Sequence, residues 1–124
     1  MIDWDALKAK ALAVRENAYA PYSNFKVGAA ILAEGRIFVG CNVENVSYPV
    51  GLCAERAALA AAVAAGCRTI DAVVITAEKP ITPCGMCRQA LAEFNPEVPM
   101  MMVSKQLEAD ASLAQLLPDP FCEI

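Results

Sequence analysis

The spacing of apolar residues over the first twenty positions predicts a helix. Asp3 can cap its start, and Pro21 disfavours helical backbone at Ala20, so we expect the helix to end near that residue. Its apolar positions recur at spacings of three and four, which places them on one face: Trp4, Leu7, Ala11, Val14 and Ala18. Such a stripe is typical of a helix that packs on a core.

Short apolar or alternating segments predict five strands. They are KVGAAILA (26–33), RIFVGCNV (36–43), DAVVIT (71–76), PMMMV (99–103) and QLEADA (106–111). Glu34-Gly35 separates the first two and indicates a tight hairpin turn. The last segment is the weakest of the five, and we expect it at an edge of the sheet.

Three further helices are predicted between and after these strands. An alanine-rich helix runs from about Cys53 to Ala65, and Gly66 fits the position just beyond its end. CGMCRQALAEF (84–94) forms a second helix that stops before Asn95-Pro96, and a short third helix lies within SLAQLLPDPF (112–121).

The order of these elements predicts the fold class. The sequence reads α-β-β-α-β-α-β-β-α and contains two strand–helix–strand crossovers. We therefore expect an α/β protein with helices on both faces of a mixed five-stranded sheet, a three-layer α/β/α sandwich. A chain of 124 residues fits a single domain that spans residues 1–124.

Composition and charge narrow the function classes. The chain is 57% hydrophobic and 19% charged, so it can bury a core. A mean hydropathy of +0.41 indicates that a neighbouring subunit covers some apolar surface. The net charge of −4 and the lack of a basic run argue against nucleic-acid binding. Since no secretory signal and no membrane-length apolar run is visible, we expect a cytoplasmic protein without membrane contact.

Three cysteines stand at predicted helix starts. Cys53 opens one helix, and Cys84 and Cys87 open another. The helix dipole at such a position favours the thiolate, which is a zinc ligand. Three convergent thiolates would bind Zn²⁺ and leave its fourth position open, as in catalytic zinc sites. The chain has no histidine, and its spare cysteines have no obvious ligand spacing: Cys41, Cys67 and Cys122.

Two charged residues follow Cys53 directly. Glu55 lies in the same first turn and could move protons to and from a water molecule near the metal. Arg56 could offset the negative charge of three thiolates by hydrogen bonding to one of them. Taken alone, a glutamate in a first turn is an ordinary complement to the helix dipole.

The PCGMC segment alone leaves other interpretations open. A CxxC pair occurs in structural zinc sites, which would need a fourth protein ligand, and in redox dithiols, which give Cys53 and Glu55 no role. The combination of CxE and PCxxC, each at a helix start, favours catalytic zinc over both.

The motifs together resemble a known family. CAER with PCGMC is similar to the pattern of zinc-dependent deaminases. In addition, PYSNFKVGAA, GCNVENVSYP, GLCAERAAL, TPCGMCRQ and LLPDPF resemble the short, three-cysteine form of cytidine deaminase, over about residues 18–121. The resemblance implies the cytidine deaminase-like version of the predicted fold.

The resemblance also implies roles for individual residues. One Zn²⁺ per subunit is bound by Cys53, Cys84 and Cys87, Glu55 shuttles protons, and Arg56 tunes the thiolates. The implied contacts to the nucleoside come from Phe25 at the pyrimidine, the Ala54 backbone at the base, and Asn42 and Glu44 at the ribose. The family forms homotetramers with sites at subunit interfaces, and the residues implied there are Tyr22, Tyr48 and Phe121.

The implied reaction is zinc-dependent hydrolytic deamination of cytidine and 2′-deoxycytidine to uridine and 2′-deoxyuridine, with release of ammonia, as in pyrimidine salvage. Met86, between the last two cysteines, instead matches the form found in blasticidin-type deaminases. A modified-cytosine nucleoside is therefore the alternative substrate, and a structural zinc module without catalysis is the alternative outside enzymes.

Overall fold

The computed structural model describes residues 1–123 and contains the predicted elements in the predicted order. The helices are α1 (Trp4–Arg15), α2 (Ala54–Ala64), α3 (Gly85–Ala92) and α4 (Leu113–Leu116). The strands are β1 (Val27–Ala33), β2 (Arg36–Cys41), β3 (Ala72–Ala77), β4 (Pro99–Val103) and β5 (Glu108–Ser112). Among these described residues, no helix combines the length and the apolar character needed to cross a membrane.

The first helix begins where the sequence predicts and ends earlier. The Asp3 side chain accepts a hydrogen bond from the Ala6 amide at 3.0 Å and caps the helix. The predicted end near Ala20 is wrong, because α1 stops at Arg15. The backbone of Tyr19 pairs instead with the segment after β2, donating to Asn42 O at 3.0 Å and accepting from the Glu44 amide at 2.8 Å.

The five strands form one mixed sheet in the order β2-β1-β3-β4-β5. Strands β3 and β4 are parallel, and the other neighbours are antiparallel. Glu34 (φ 52°) and Gly35 (φ 80°) both adopt the left-handed conformation that a two-residue hairpin turn requires. The QLEADA segment forms β5 at the edge, as its weak pattern predicts. The expected mixed five-stranded sheet is confirmed.

Helices cover both faces of the sheet, so the three-layer architecture is also confirmed. On one face, Leu7 and Ala11 of α1 pack against Ala30 and Val74 in a small buried cluster. On the other face, α2 and α3 pack over the larger core, to which Ala58 and Leu91 contribute. Strand β3 is buried along its whole length because both layers cover it.

Gly40 allows α2 to lie unusually close to β2. A Cβ atom at this position would stand 2.4 Å from the Ala58 amide nitrogen and 2.5 Å from the Ala54 carbonyl oxygen. Only glycine fits such an approach of helix backbone to strand. The contact therefore fixes the first turn of α2 against the sheet, the turn that carries Glu55.

Candidate active site

Three thiols from the starts of two helices lie close together. Cys53 is the N-terminal cap residue of α2, Cys84 caps α3, and Cys87 lies in the first turn of α3. Cys53 Sγ lies 3.8 Å from Cys84 Sγ, and Cys84 Sγ lies 3.4 Å from Cys87 Sγ. All three sulfur atoms fall within 4.8 Å of one another. The topology explains why the helix starts meet. Helices α2 and α3 follow β2 and β3, which run in the same direction, so both helices start toward the same end of the sheet.

The donor set fits a tetrahedral zinc ion. Zinc–sulfur bonds of about 2.3 Å at tetrahedral angles place sulfur atoms about 3.8 Å apart, close to the separations found here. Within residues 1–123 the cluster has three members and no fourth cysteine or carboxylate oxygen. A site of three protein ligands leaves one position for water, and this is the arrangement of catalytic rather than structural zinc.

The charges around the thiols favour a thiolate at Cys53. A hydrogen bond from the Cys87 thiol, followed by one from Arg56, lowers the pKa of Cys53 to about 5. Arg56 Nη2 donates to Cys53 Sγ at 3.5 Å. The same hydrogen bond to Cys53, together with burial, raises the pKa of the Cys87 thiol. A metal cation would replace these protons, because thiolates rather than thiols are its ligands.

Glu55 is a buried carboxyl group beside the cluster. Only 4% of the residue is exposed, and the surrounding burial raises the pKa of Glu55. The negative charge of the Cys53 thiolate adds to this increase. A carboxyl group with a raised pKa binds a proton more readily than an exposed one, which favours a role in proton transfer.

An open cleft of about 460 Å³ borders the segment after β2. Its lining residues are Tyr22, Ser23, Glu44, Asn45, Tyr48 and Gly51. Glu44 is held by the amides of Tyr22 and Ser23, at 3.0 and 3.1 Å, and by the Ser23 hydroxyl. The Ser23 hydroxyl is the main cause of the lowered pKa of Glu44, so this carboxylate is charged and fixed in place.

Asn42 is anchored on the backbone of the preceding loop. Its Oδ1 accepts from the Val27 amide at 2.8 Å, and its Nδ2 donates to Phe25 O at 2.9 Å. One Nδ2 hydrogen and one Oδ1 lone pair stay available for a ligand. Phe25 is half-buried and packs on the edge of the larger core.

The remaining predicted site residues lie at different depths. Ala54 is buried at the start of α2, next to Cys53. Tyr48 is 80% exposed and Phe121 87% exposed, so neither side chain is packed within the chain. Phe121 borders a second cleft beside α3 and not the one that Glu44 lines.

Sequence reasoning missed two residues that support the site. Ser23 holds Glu44, and Arg88 binds the loop that leads to Cys84. Both stand inside motifs that were recognised, PYSNF and PCGMCRQ, but their partners are distant in sequence. Of the spare cysteines, Cys67 is buried and Cys122 is exposed, and neither belongs to the metal cluster.

Three thiols and a buried glutamate at two helix starts of an α/β/α sandwich define the class of zinc-dependent deaminases. The family profile described as "Cytidine and deoxycytidylate deaminase zinc-binding region" matches residues 2–103. The chain therefore belongs to the cytidine and deoxycytidylate deaminase family, whose cofactor at this region is Zn²⁺.

Named relatives agree with the family profile. The cytidine deaminase of Sporosarcina psychrophila is 44% identical over 125 residues, which cover 97% of this chain and 92% of that protein. The cytidine deaminase of Halalkalibacterium halodurans is 40% identical, with 97% and 95% covered. The fold is similar to that of cytidine deaminase from Burkholderia pseudomallei, whose crystal structure superposes with a TM-score of 0.91. The two sequences are 47% identical, and the match covers 98% of this chain and 100% of the other.

Proposed function

We propose that this chain catalyses the hydrolytic deamination of cytidine and 2′-deoxycytidine to uridine and 2′-deoxyuridine. Water is added at C4 of the cytosine ring, the C4–N bond breaks, and ammonia leaves, so that one water and one nucleoside give one ammonia and one 4-oxo nucleoside. The observation that carries the proposal is the placement of buried Glu55 beside three thiols that lie within 4.8 Å of one another.

Cys53, Cys84 and Cys87 would hold the metal. Bound Zn²⁺ supplies a Lewis acid that makes water a nucleophile at neutral pH. Arg56 compensates part of the negative charge of the three thiolates through its hydrogen bond to Cys53. This compensation matters in a chain without histidine, because a site of three thiolates carries more negative charge than one with a neutral ligand.

Glu55 would carry the protons. Its carboxylate would take a proton from the attacking water and deliver it to N3 of the cytosine. It would then take the second proton from the new C4 hydroxyl and deliver it to the departing amine, so that the C4 oxygen becomes the carbonyl of the product as ammonia leaves. Burial raises the pKa of Glu55, which brings the proton affinity of the carboxylate closer to that of the groups it serves. The side chain lies outside the thiol cluster and is shielded from bulk water, and this placement supports a role in proton transfer.

The sugar would bind in the cleft along the segment after β2. Glu44 is held as a carboxylate by three donors and can accept hydrogen bonds from ribose hydroxyls. Asn42 can add a donor and an acceptor. Phe25 would pack on the pyrimidine, and the backbone at Ala54 would contact the base.

The assembly we propose is a homotetramer with sites at the subunit interfaces. The support is a group of exposed apolar side chains in the segment next to the cleft, Val46, Tyr48 and Val50, together with the exposed Phe121 at the second cleft. A soluble monomer rarely leaves such side chains uncovered. Tyr22 and Tyr48 would lie near the ribose and the subunit contacts, and Phe121 would reach a neighbouring site. A cytoplasmic role in pyrimidine salvage is consistent with nucleoside substrates and an acidic chain.

The experiment compares nucleosides under identical conditions. The zinc-loaded protein is assayed by ultraviolet absorbance and ammonia release on cytidine, 2′-deoxycytidine and blasticidin S. We expect turnover of the first two and little on the third. Exclusive turnover of blasticidin S would place the substrate in the modified-cytosine class that Met86 suggests. No ammonia from any of the three would contradict the proposal.

A further inference from the structure

Arg88 joins three separate parts of the chain next to the thiol cluster. Its Nε donates to the carbonyl oxygen of Pro83 at 2.7 Å, and its Nη1 donates to the carbonyl oxygen of Leu116 at 2.7 Å. Its Nη2 donates to the Thr82 hydroxyl at 3.1 Å. All three acceptors are neutral oxygens. One guanidinium thus connects α3, the loop before it and the end of α4.

The bond to Pro83 acts directly on the backbone of a candidate ligand. The Pro83 carbonyl belongs to the peptide unit that links Pro83 to Cys84, so fixing this oxygen fixes the plane from which the Cys84 side chain departs. Cys84 needs such a restraint more than Cys87 does. Cys84 is exposed and its side chain caps no amide, whereas Cys87 is buried in the core.

We propose that Arg88 is a positioning residue that holds the Thr82–Cys84 loop, and with it the Cys84 sulfur, in the geometry that metal binding requires. The inference rests on the proposed zinc site. It assigns no contact between Arg88 and the substrate or the metal. Residues that orient metal ligands in this way typically change metal affinity by 10- to 100-fold when they are replaced.

The geometry of the guanidinium is essential to this role. The planar guanidinium can donate to acceptors in three directions at once, whereas a lysine ammonium is a compact charge at the end of a flexible side chain. Arg88→Lys therefore keeps the positive charge near the thiolates and loses the connection between the loop and α4. Arg88→Met removes both and keeps a side chain of similar length.

Arg68 provides a matched control elsewhere in the fold. Its Nη1 also donates to two backbone carbonyls, Val63 O at 3.1 Å and Cys67 O at 2.9 Å, at the far end of α2 from Cys53. Arg68→Met therefore removes a comparable set of hydrogen bonds without touching the loop. Gln89→Ala is a second control. Gln89 holds the backbone of Phe121 through two hydrogen bonds, so this substitution releases the C-terminal segment and leaves the loop before Cys84 intact.

The experiment measures metal binding by the full chain in the absence of nucleoside. Zinc affinity is obtained by competition with a chromophoric chelator, and the coordination geometry from the absorption spectrum of the Co²⁺ form. We expect about 10- to 100-fold weaker zinc binding and an altered Co²⁺ spectrum in Arg88→Met and Arg88→Lys. Arg68→Met and Gln89→Ala should bind zinc within about twofold of the unmodified chain.

Two results would overturn the proposal. Unchanged zinc affinity in Arg88→Met would show that the loop is positioned without Arg88. Zinc affinity in Arg88→Lys equal to that of the unmodified chain would show that the positive charge, rather than the shape of the guanidinium, is responsible. If Arg88→Met fails to fold, Thr82→Val is the fallback, because it removes only the hydrogen bond from Arg88 to the Thr82 hydroxyl. This variant should also bind zinc more weakly. Unchanged zinc affinity in Thr82→Val would contradict the proposal. Since no substrate is present, failure of the deamination assay alone would refute the proposed function and leave this result intact.

Discussion

Arg56 Nη2 lies 3.5 Å from Cys53 Sγ, one helical turn beyond it at the start of α2. The Nε atom of the same guanidinium is buried and finds no hydrogen-bond partner in the part of the chain that the structure describes. Negative charge on the cysteines would stabilise this partly buried cation. The pair therefore favours thiolates in the cluster, and three thiolates at this spacing fit a metal cation.

Replacing Arg56 by Met should weaken the metal centre without dismantling it. We expect zinc affinity to fall about 10- to 100-fold because the thiolates lose a compensating charge. In the metal-free protein, the pKa of Cys53 should rise above about 5, since Arg56 contributes to its depression. Chelator competition measures the affinity, and thiolate absorbance against pH measures the pKa. Unchanged values for both would remove Arg56 from the site.

Glu55→Gln should separate metal binding from turnover. Gln has the same shape and cannot shuttle protons, so we expect full zinc content with kcat lowered by at least about 100- to 10,000-fold. Metal analysis and steady-state kinetics on cytidine give the two numbers. Near-normal turnover in a folded, zinc-loaded variant would exclude Glu55 as the proton carrier.

Glu44 should make stability depend on pH in acid. Its pKa is lowered in the folded protein, mainly by the Ser23 hydroxyl, so the stabilisation is present above the unfolded-state pKa of about 4.3 and is lost as the pH falls through the folded-state pKa. Urea unfolding of the metal-free protein gives its free energy of unfolding at about pH 7 and at about pH 3. The difference between these two free energies should be smaller for Glu44→Gln than for the unmodified chain.

Glu16→Gln is the control for this measurement, because Glu16 is exposed at the end of α1. This substitution should leave the difference in the free energy of unfolding between the two pH values unchanged. An equal effect of both substitutions would mean that general charge, rather than the contact with Ser23, sets the acid sensitivity.

Gly40→Ala should destabilise the fold and loosen the site together. The new Cβ would meet the backbone of α2 at 2.4–2.5 Å, so the helix must move. We expect a loss of about 1–3 kcal/mol in the free energy of unfolding, accompanied by weaker zinc binding. Gly85→Ala is the matched control: its Cβ meets nothing within 4 Å, and alanine favours the helix. Equal stability of the two variants would contradict the close approach.

Phe121→Ala should affect assembly and substrate affinity while zinc content stays constant. The ring is 87% exposed, yet its backbone is held by Gln89 at 2.9 and 3.0 Å, so the side chain is presented outward in a defined position. We expect weaker self-association in sedimentation velocity and a KM raised about tenfold, about 1.4 kcal/mol. Leu12→Ala, on the exposed side of α1, should change neither. A fully active monomer would rule out a shared site.

The sequence alone predicts the sheet, the helix order and the metal cluster well. Periodicity identifies the strands and helices, and two crossovers are enough to bring Cys53 and Cys84 to the same end of the sheet. The end of α1 is mispredicted because Pro21 constrains only its neighbour, while the pairing of Tyr19 with Asn42 depends on a segment more than twenty residues away.

The supporting contacts around the site could not be predicted, for the same reason. Ser23 reaches Glu44 across 21 positions, and Arg88 reaches Leu116 across 28. Serine in a loop and arginine on a helix are common at solvent-exposed positions, so neither residue type gives a local signal. Only the folded chain shows that Ser23 contacts the Glu44 carboxylate and that Arg88 contacts the loop before Cys84.

Zinc-dependent turnover is tested most directly by following cytidine absorbance and ammonia release by the same preparation in three states: zinc-loaded, stripped by a chelator, and reloaded with Zn²⁺. We expect ammonia and loss of cytidine in equal amounts from the loaded protein, none after stripping, and recovery on reloading at one zinc per chain. Undiminished turnover by the stripped protein, or no turnover by a folded chain with one zinc bound, would contradict zinc-dependent cytidine deamination by this chain.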